Sequence, residues 1–432
     1  MHRIVKRNPF VTLTLAFALT SLSIVGGCKT ASPAARVFDV RQFGATGDGT
    51  TLDTAAIQKT LDECGNAGGG IVHFPTGKFL SQPIVLRSRT TLQLDAGAIL
   101  QATDDPADFA NPGKTNSFMP FISGTSLQDI VITGPGTIDG AGGRWWGPAQ
   151  AARRKTPGYV MPRPCMIVLS NCVNVCLRDI TLQNSPLTHF APTACENVVI
   201  RNVVVQTPAW TPNTDALDPI NCKNVLITHC RAEAGDDNIC IKSTRVMPGR
   251  AFASDDITVT DCVFLRGHGM SIGAATVGGV RNVTVRNCTF QDTENGIRIK
   301  SQRGRGGITM SNVDPAITFT CYYMTNSSGD PVQRFAPEHD LAQPVDSTTP
   351  IFRDIRVSNL TATCPRSAGI IIGLPESEIS DVVLENIRIT AAAAGLTVKN
   401  ANGIRLKNVT ILNRQGPPVV LDNAQVDGID GG

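Results

Sequence analysis

Four short motifs between residues 213 and 300 gather side chains that can move protons or hold an anion. They are Asn213-Thr214-Asp215, Gly235-Asp236-Asp237, Gly267-His268-Gly269 and Arg298-Ile299-Lys300. The steps are 21 residues from Asp215 to Asp236, 32 more to His268 and 30 more to Arg298. If the chain returns to the same place after each step, three carboxylates, an imidazole and two cations share one surface. Carboxylates held that close cannot all ionise freely, so one pKa is expected to rise. A protonated carboxyl beside an ionised one is the acid and base pair of glycoside hydrolysis. Ile297 and Ile299 alternate with Arg298 and Lys300, so both cations leave the same side of a strand. There they suit an anionic sugar. Each motif alone would be ordinary turn chemistry; four in one register are much harder to dismiss. His268 has no second histidine at ligand spacing, so no metal and no cofactor are expected.

The element that must hold these residues in register is legible as a repeat. Its pattern is Asn or Asp, an aliphatic, any residue, an aliphatic, any residue, a turn former, an apolar residue. It begins at Asp129, Asn174, Asn197, Asn224, Asp256, Asn282, Asp354 and Asp381, with a weaker copy at Gly403. From Asn174 to Asn282 the steps are 23, 27, 32 and 26 residues; the longer gaps of 45 and 72 leave room for two or three coils with insertions. Each unit reads as a short strand of period two. One such strand cannot bury its inner face alone, whereas stacked coils bury a continuous core. The units lack Leu/Ala helical periodicity, so tandem helical repeats are disfavoured. The expected fold is all-β, a right-handed single-stranded parallel β-helix. Residues 53–65 place Ala56, Ile57, Thr60, Leu61 and Cys64 at helical spacing with Gly65 as a stop, an expected N-terminal capping helix.

Of the 13 cysteines, Cys230, Cys262 and Cys288 stand six residues after repeat starts, and Cys172, Cys195 and Cys222 stand two before. Same-column residues stack, and free cysteine packs as a small hydrophobe. These six are expected to be reduced core; a bridge among the others, such as Cys321 to Cys364, stays open. Charged residues are 17% and hydrophobic residues 41% of the 432, which excludes a disordered chain and a polytopic membrane protein. From Cys28 onward the basic and acidic residues balance, so nothing calls for nucleic acid as a partner. Residues 1–27 run from a basic front through an apolar stretch to Gly26-Gly27, the layout of a secretory signal. Cys28 follows directly, and the segment resembles the lipobox of bacterial lipoproteins. That resemblance implies export, lipidation of Cys28, a tether over 28–36 and an anchored single domain over 37–432; a monomer is expected.

Asn-Thr-Asp, Gly-Asp-Asp, Gly-His-Gly and Arg-Ile-Lys, in this order, resemble the four motifs of the polygalacturonases, glycoside hydrolase family 28. The similarity spans about residues 38–412. It includes FDVRQFGATGDGTTLDTAAIQKTLDEC, TIDGAGGRWWG at 137–147 and GHGMSIG at 267–273. It implies inverting hydrolysis of α-1,4 bonds between galacturonic acid units of pectin. Asp236 would be the general acid, Asp215 and Asp237 would hold the water, and His268 would tune the acid. Arg298 and Lys300 would bind uronate carboxylates, and Asn213 would orient neighbours or a sugar hydroxyl. Tyr322 or Tyr323 is read as stacking on a sugar ring, with plain packing as the alternative. Ala216 stands where the family usually has glycine, which puts fine specificity in doubt. Asp218, His189, Trp145 and Trp146 are read as structural. Lys242, Arg303 and Arg305 are read as solvated surface charge, with extension of the positive groove as the alternative. Rival readings are a hydrolase of rhamnogalacturonan or xylogalacturonan, a calcium-dependent pectate lyase, and a non-catalytic pectin-binding protein.

Overall fold

The computed structural model describes residues 36–244, 253–302, 308–310, 313–314, 317–322, 340–346, 349–364 and 367–428. Cys28, Arg303, Arg305 and Tyr323 lie outside these residues. The strands form parallel ladders that wind into a right-handed β-helix with three faces. One face carries the repeat strands. Among them Gln128–Thr133, Val173–Arg178, Glu196–Arg201, Lys223–Thr228, Ser254–Thr260 and Val280–Arg286 pair in parallel, each with the next. A second face is a ladder of nine short strands from Asp48–Leu52 to Thr289–Gln291. The third runs from Ile84–Val85 through Phe190–Thr193 and on to Ile239–Ser243, Met270–Thr276 and Ile297–Lys300.

The sequence pattern accounts for each corner. All eight Asn or Asp repeat starts have φ between 53° and 60°. Asn and Asp tolerate this left-handed conformation better than other residues with a side chain. The turn formers five residues on behave alike: Gly134, Asp179, Asn202, His229, Asp261, Asn287 and Asn386 all have positive φ. The starts also form a ladder. Asn174 Nδ2 donates to Asp129 Oδ1 at 2.9 Å, Asn197 to Asn174 at 3.0 Å, and Asn224 to Asn197 at 2.7 Å. Between these corners Ile130, Val175, Val198, Val225, Ile257 and Val283 stack inward and are almost fully buried. Cys172, Cys195, Cys222, Cys230 and Cys262 are buried free thiols beside that core, and Cys288 is a half-buried one.

Several details differ from the sequence expectation. The 45-residue gap holds no extra coil, because Val173 pairs directly with Gln128. Part of its length is a helix inserted over Gly143–Lys155. Among the described residues the 72-residue gap holds one added rung, Val313–Asp314, between Val280–Arg286 and Pro350–Cys364. The capping helix covers Thr54–Asn66 and buries Ile57, Thr60, Leu61 and Cys64. It passes through Gly65, where the Arg87 stem lies 2.8 Å from the place of a Cβ, so this glycine serves a close approach and not a stop. Gly68 and Gly69, with φ of 89° and 118°, turn the chain instead. Cys321 and Cys364 do not form a bridge with each other.

Candidate active site

Each coil contributes its site residues from the turn between the second and third faces, or from the third-face strand that follows. Arg231–Glu233 leads through Asp236 and Asp237 into Ile239–Ser243, and Val263–Leu265 leads through His268 into Met270–Thr276. Backbone bonds tie neighbouring turns together: Ala216 N donates to Asp237 O at 2.9 Å and His268 N to Asp236 O at 2.8 Å. The glycines let these turns nest. A Cβ on Gly235 would stand 2.1 Å from Thr211 O, and one on Gly267 would stand 2.5 Å from Asp236 O. The Thr214 hydroxyl, accepting from Gly235 N at 3.1 Å, locks the first motif to the second.

The structure brings Asn213, Asp215, Asp236, Asp237, His268, Arg298 and Lys300 into one cluster. Oxygens of Asp237 and Asp215 approach within 4.8 Å, as do those of Asp237 and Asp236. Each carboxylate has a different partner. Asp237 Oδ1 accepts from Ser271 Oγ at 2.6 Å and Arg298 at 2.8 Å; its Oδ2 accepts from Lys300 Nζ at 2.8 Å. Asp236 Oδ1 meets His268 Nδ1 at 2.9 Å, and its Oδ2 accepts from Asn213 Nδ2 at 3.4 Å. Asp215 Oδ2 accepts from Lys242 Nζ at 3.1 Å, and the same ammonium lies 2.5 Å from Asp218 Oδ2.

These partners push the carboxyls apart in acidity. Burial acts to raise Asp237, but the charges of Lys300 and Arg298 outweigh it and hold the group far below the usual range. Burial also acts on Asp236, and the His268 hydrogen bond more than offsets it, so the net direction is down. Burial raises Asp215 despite Lys242, and raises Asp218 further. His268 moves upward: burial opposes this, but Asp236 and Asp237 outweigh it. His189 is fully buried, pushed down to about 4, with Nδ1 against Asp215 O at 3.0 Å; it is a neutral brace.

Several residues sit otherwise than the sequence suggests. Arg298 and Lys300 leave the side of the strand opposite Ile297 and Ile299, yet they are 9% and 4% exposed, with Asp237 between them. Lys242 is not a solvated charge but a half-buried one that bridges Asp215 and Asp218. The chain spells Ile-Cys-Ile-Lys over 239–242 and Ile-Arg-Ile-Lys over 297–300, so the alternation that marks Lys300 also marks Lys242. Arg163 is 5% exposed and donates to Pro186 O, Pro212 O and Asn213 Oδ1 at 2.8–3.1 Å; no motif surrounds it, and sequence reasoning misses it. Ala216 is fully buried in the core, so its methyl faces away from the cleft. Tyr322 packs against the core and its hydroxyl donates to Asp340 at 2.7 Å. Two donor sets within 4.8 Å could be read as metal ligands, Asp215-Asp237-Cys240 and Asp236-Asp237-His268. Both depend on Asp237, where a cation would meet the fixed charges of Arg298 and Lys300, so they suit acid–base chemistry better.

A family model described as glycosyl hydrolases family 28 matches residues 64–411. A probable polygalacturonase of Vitis vinifera is 28% identical over 375 residues, covering 81% of this chain and 74% of the relative. An endo-polygalacturonase of Pectobacterium carotovorum subsp. carotovorum is 29% identical over 388 residues, covering 83% and 87%. A hyperthermoactive exopolygalacturonase from Thermotoga maritima has a similar structure, with a TM-score of 0.69 at 25% identity over 90% of this chain and 92% of that one.

Proposed function

The chain belongs to glycosyl hydrolases family 28, and from that premise we propose that it hydrolyses the α-1,4-galacturonosyl bonds of polygalacturonate with inversion. The observation that carries the assignment of roles is the division of three clustered carboxylates among three different sets of partners. Asp236 is bound to the one neighbour that can itself carry a titrating proton, His268. A shift along that 2.9 Å hydrogen bond re-arms Asp236 as the acid for the leaving oxygen. Asp237, kept ionised by Arg298 and Lys300, and Asp215, held by Lys242, take the water. Arg298 remains at the cleft floor, where its guanidinium can meet a substrate carboxylate. Tyr322, packed on the core with its hydroxyl on Asp340, takes the packing role, and Cys28 is assigned to a lipid anchor on its sequence context.

The carboxylate spacing bears on stereochemistry. The ordinary inverting pair stands about 6.5–9.5 Å apart, whereas Asp237 approaches both neighbours within 4.8 Å. Three donors already occupy Asp237, which leaves it better suited to orienting water than to attacking carbon. The first product seen by NMR from an end-reduced oligogalacturonate is therefore expected to carry the inverted anomer. A retained anomer would make one of these carboxylates a nucleophile and end the proposal.

The His268–Asp236 pair sets the alkaline limit. With His268 raised above its usual 6.5, kcat/KM should fall only as pH climbs beyond that value. In His268→Gln the proton must come from Asp236 alone, so the alkaline limb should move toward acid pH. A limb that stays in place in the variant would separate His268 from the acid.

A further inference from the structure

The second-face ladder that carries the catalytic turns continues toward the N-terminus. Leu80 pairs with Gln101, Gln101 with Asp139, Asp139 with Gln183, Gln183 with Gln206 and Gln206 with Glu233, just ahead of Asp236. On this same edge, over the coils of Gln101 to Asn184, lies an open cavity of about 590 Å³. That size falls within the range of small-ligand sites. Asn184 is two rungs from the Asp236 coil, or ~10 Å at the interstrand spacing. A polysaccharide lying along the axis across the catalytic cluster reaches the cavity within a few glycosyl units.

The cavity is built for a different chemistry from the catalytic floor. Its wall includes Trp146, whose Nε1 is fixed on Ser185 O at 3.0 Å. Trp146 holds Trp210 edge-to-face at 5.7 Å. Trp210 lies outside the cavity lining, is 56% exposed and precedes Asn213 and Asp215 by a few residues, so one exposed ring, anchored on buried Trp146, stands beside the cavity. The lining carries Asp104, Asp105, Asp108 and Asp139 against Arg144. The hydrogen bonds to these acids come from uncharged donors: Ala107 N to Asp105, Gln82 to Asp108, and Ala141 N with Gln183 to Asp139. The Thr103 hydroxyl, also in the lining, is buried without a hydrogen-bond partner.

We propose that this cavity is a distal subsite for an uncharged glycosyl unit of the pectic chain, and that it excludes a free uronate there. The proposal rests on the polygalacturonate reading of the cleft. A uronate carboxylate would meet a net negative lining, and like charges repel. An uncharged pyranose instead donates its hydroxyls to the carboxylates, and the chain that leads from it toward the cleft can lie on the exposed ring of Trp210. A methyl-esterified galacturonosyl unit and a neutral sugar both meet this description.

The test compares oligogalacturonides of one length: fully acidic, methyl-esterified at the distal unit only, and carrying a neutral sugar at that unit. The uncharged ends should raise kcat/KM about tenfold at low salt, with the gap closing as salt screens the lining. Asp104→Asn with Asp108→Asn, both outside the catalytic cluster, should close the gap by improving the fully acidic oligomer. A gain with only one uncharged end supports the subsite and identifies its natural occupant. Equal rates on all three oligomers, or an unchanged ratio in the folded double variant, overturn the subsite while leaving the hydrolase reading intact. No turnover of any oligomer by the wild type overturns the reading on which it rests.

Discussion

Asp236→Asn is expected to fold like the wild type and to lose about two to four orders of magnitude in turnover on polygalacturonate, the usual worth of a positioned acid or base. The amide keeps the shape and can still accept from Asp237 N, which meets Asp236 Oδ1 at 2.9 Å. What it cannot do is deliver a proton. Asp215 is the rival acid, because burial raises its carboxyl. An aryl galacturonide with a good leaving group needs little protonation, so it should restore much of the rate to Asp236→Asn and none to Asp215→Asn. Rescue of Asp215→Asn instead would exchange the two roles.

Lys300→Met is expected to damage the acidic and the methyl-esterified polymer alike. The ammonium is 4% exposed and sits 2.8 Å from Asp237 Oδ2, so its first duty lies inside the protein. Removing one partner of a buried pair costs about 3–5 kcal/mol, and here it also frees Asp237 to take up a proton and stop holding water. The stability term has a definite pH course. The Asp237 carboxyl is depressed in the folded protein, so its contribution is full above the ordinary aspartate value of about 4 and fades as pH falls toward the folded value. Denaturant titrations should therefore show wild type and variant far apart near neutrality and converging in acid. Were Lys300 chiefly a substrate clamp, kcat/KM would fall mainly on the acidic polymer and stability would hardly move.

How much of this is legible in the sequence follows from what each feature depends on. The coil corners are local: a left-handed residue is needed at Asp129, Asn174 and their successors, and only a few residue types satisfy it, so the column shows in the letters. The catalytic motifs inherit that legibility because they recur at the coil period. Lys242 and Arg163 are harder, since their importance lies in contacts 24 to 50 residues away. Lys242 has a signal in its alternation with Ile239 and Ile241; Arg163 has none. The number of coils in the 45-residue gap is hidden as well, because an inserted helix and an added rung lengthen a chain equally. The acidities of Asp215 and Asp236 are opposite in direction although both are aspartates in one cluster, and only the positions of His268 and Lys242 decide which is which.

The asparagine ladder has a consequence for how this molecule can go wrong. Identical residues stack in identical conformations, so a segment threaded one rung out of place would again set Asn on Asn and aliphatic on aliphatic. The interior is nearly degenerate under such a slip, and hydrophobic packing alone penalises it weakly. The proton-handling residues are not degenerate: Asp236 with Asp237, His268, and Arg298 with Lys300 stand on three different rungs, and a displaced frame would part Asp237 from Lys300 and Asp236 from His268. A mis-threaded population would keep the circular dichroism and compactness of the native solenoid and be catalytically silent. The helix over Thr54–Asn66 closes one end, unlike the inserted helix over Gly143–Lys155, and marks the starting rung from which the count is kept.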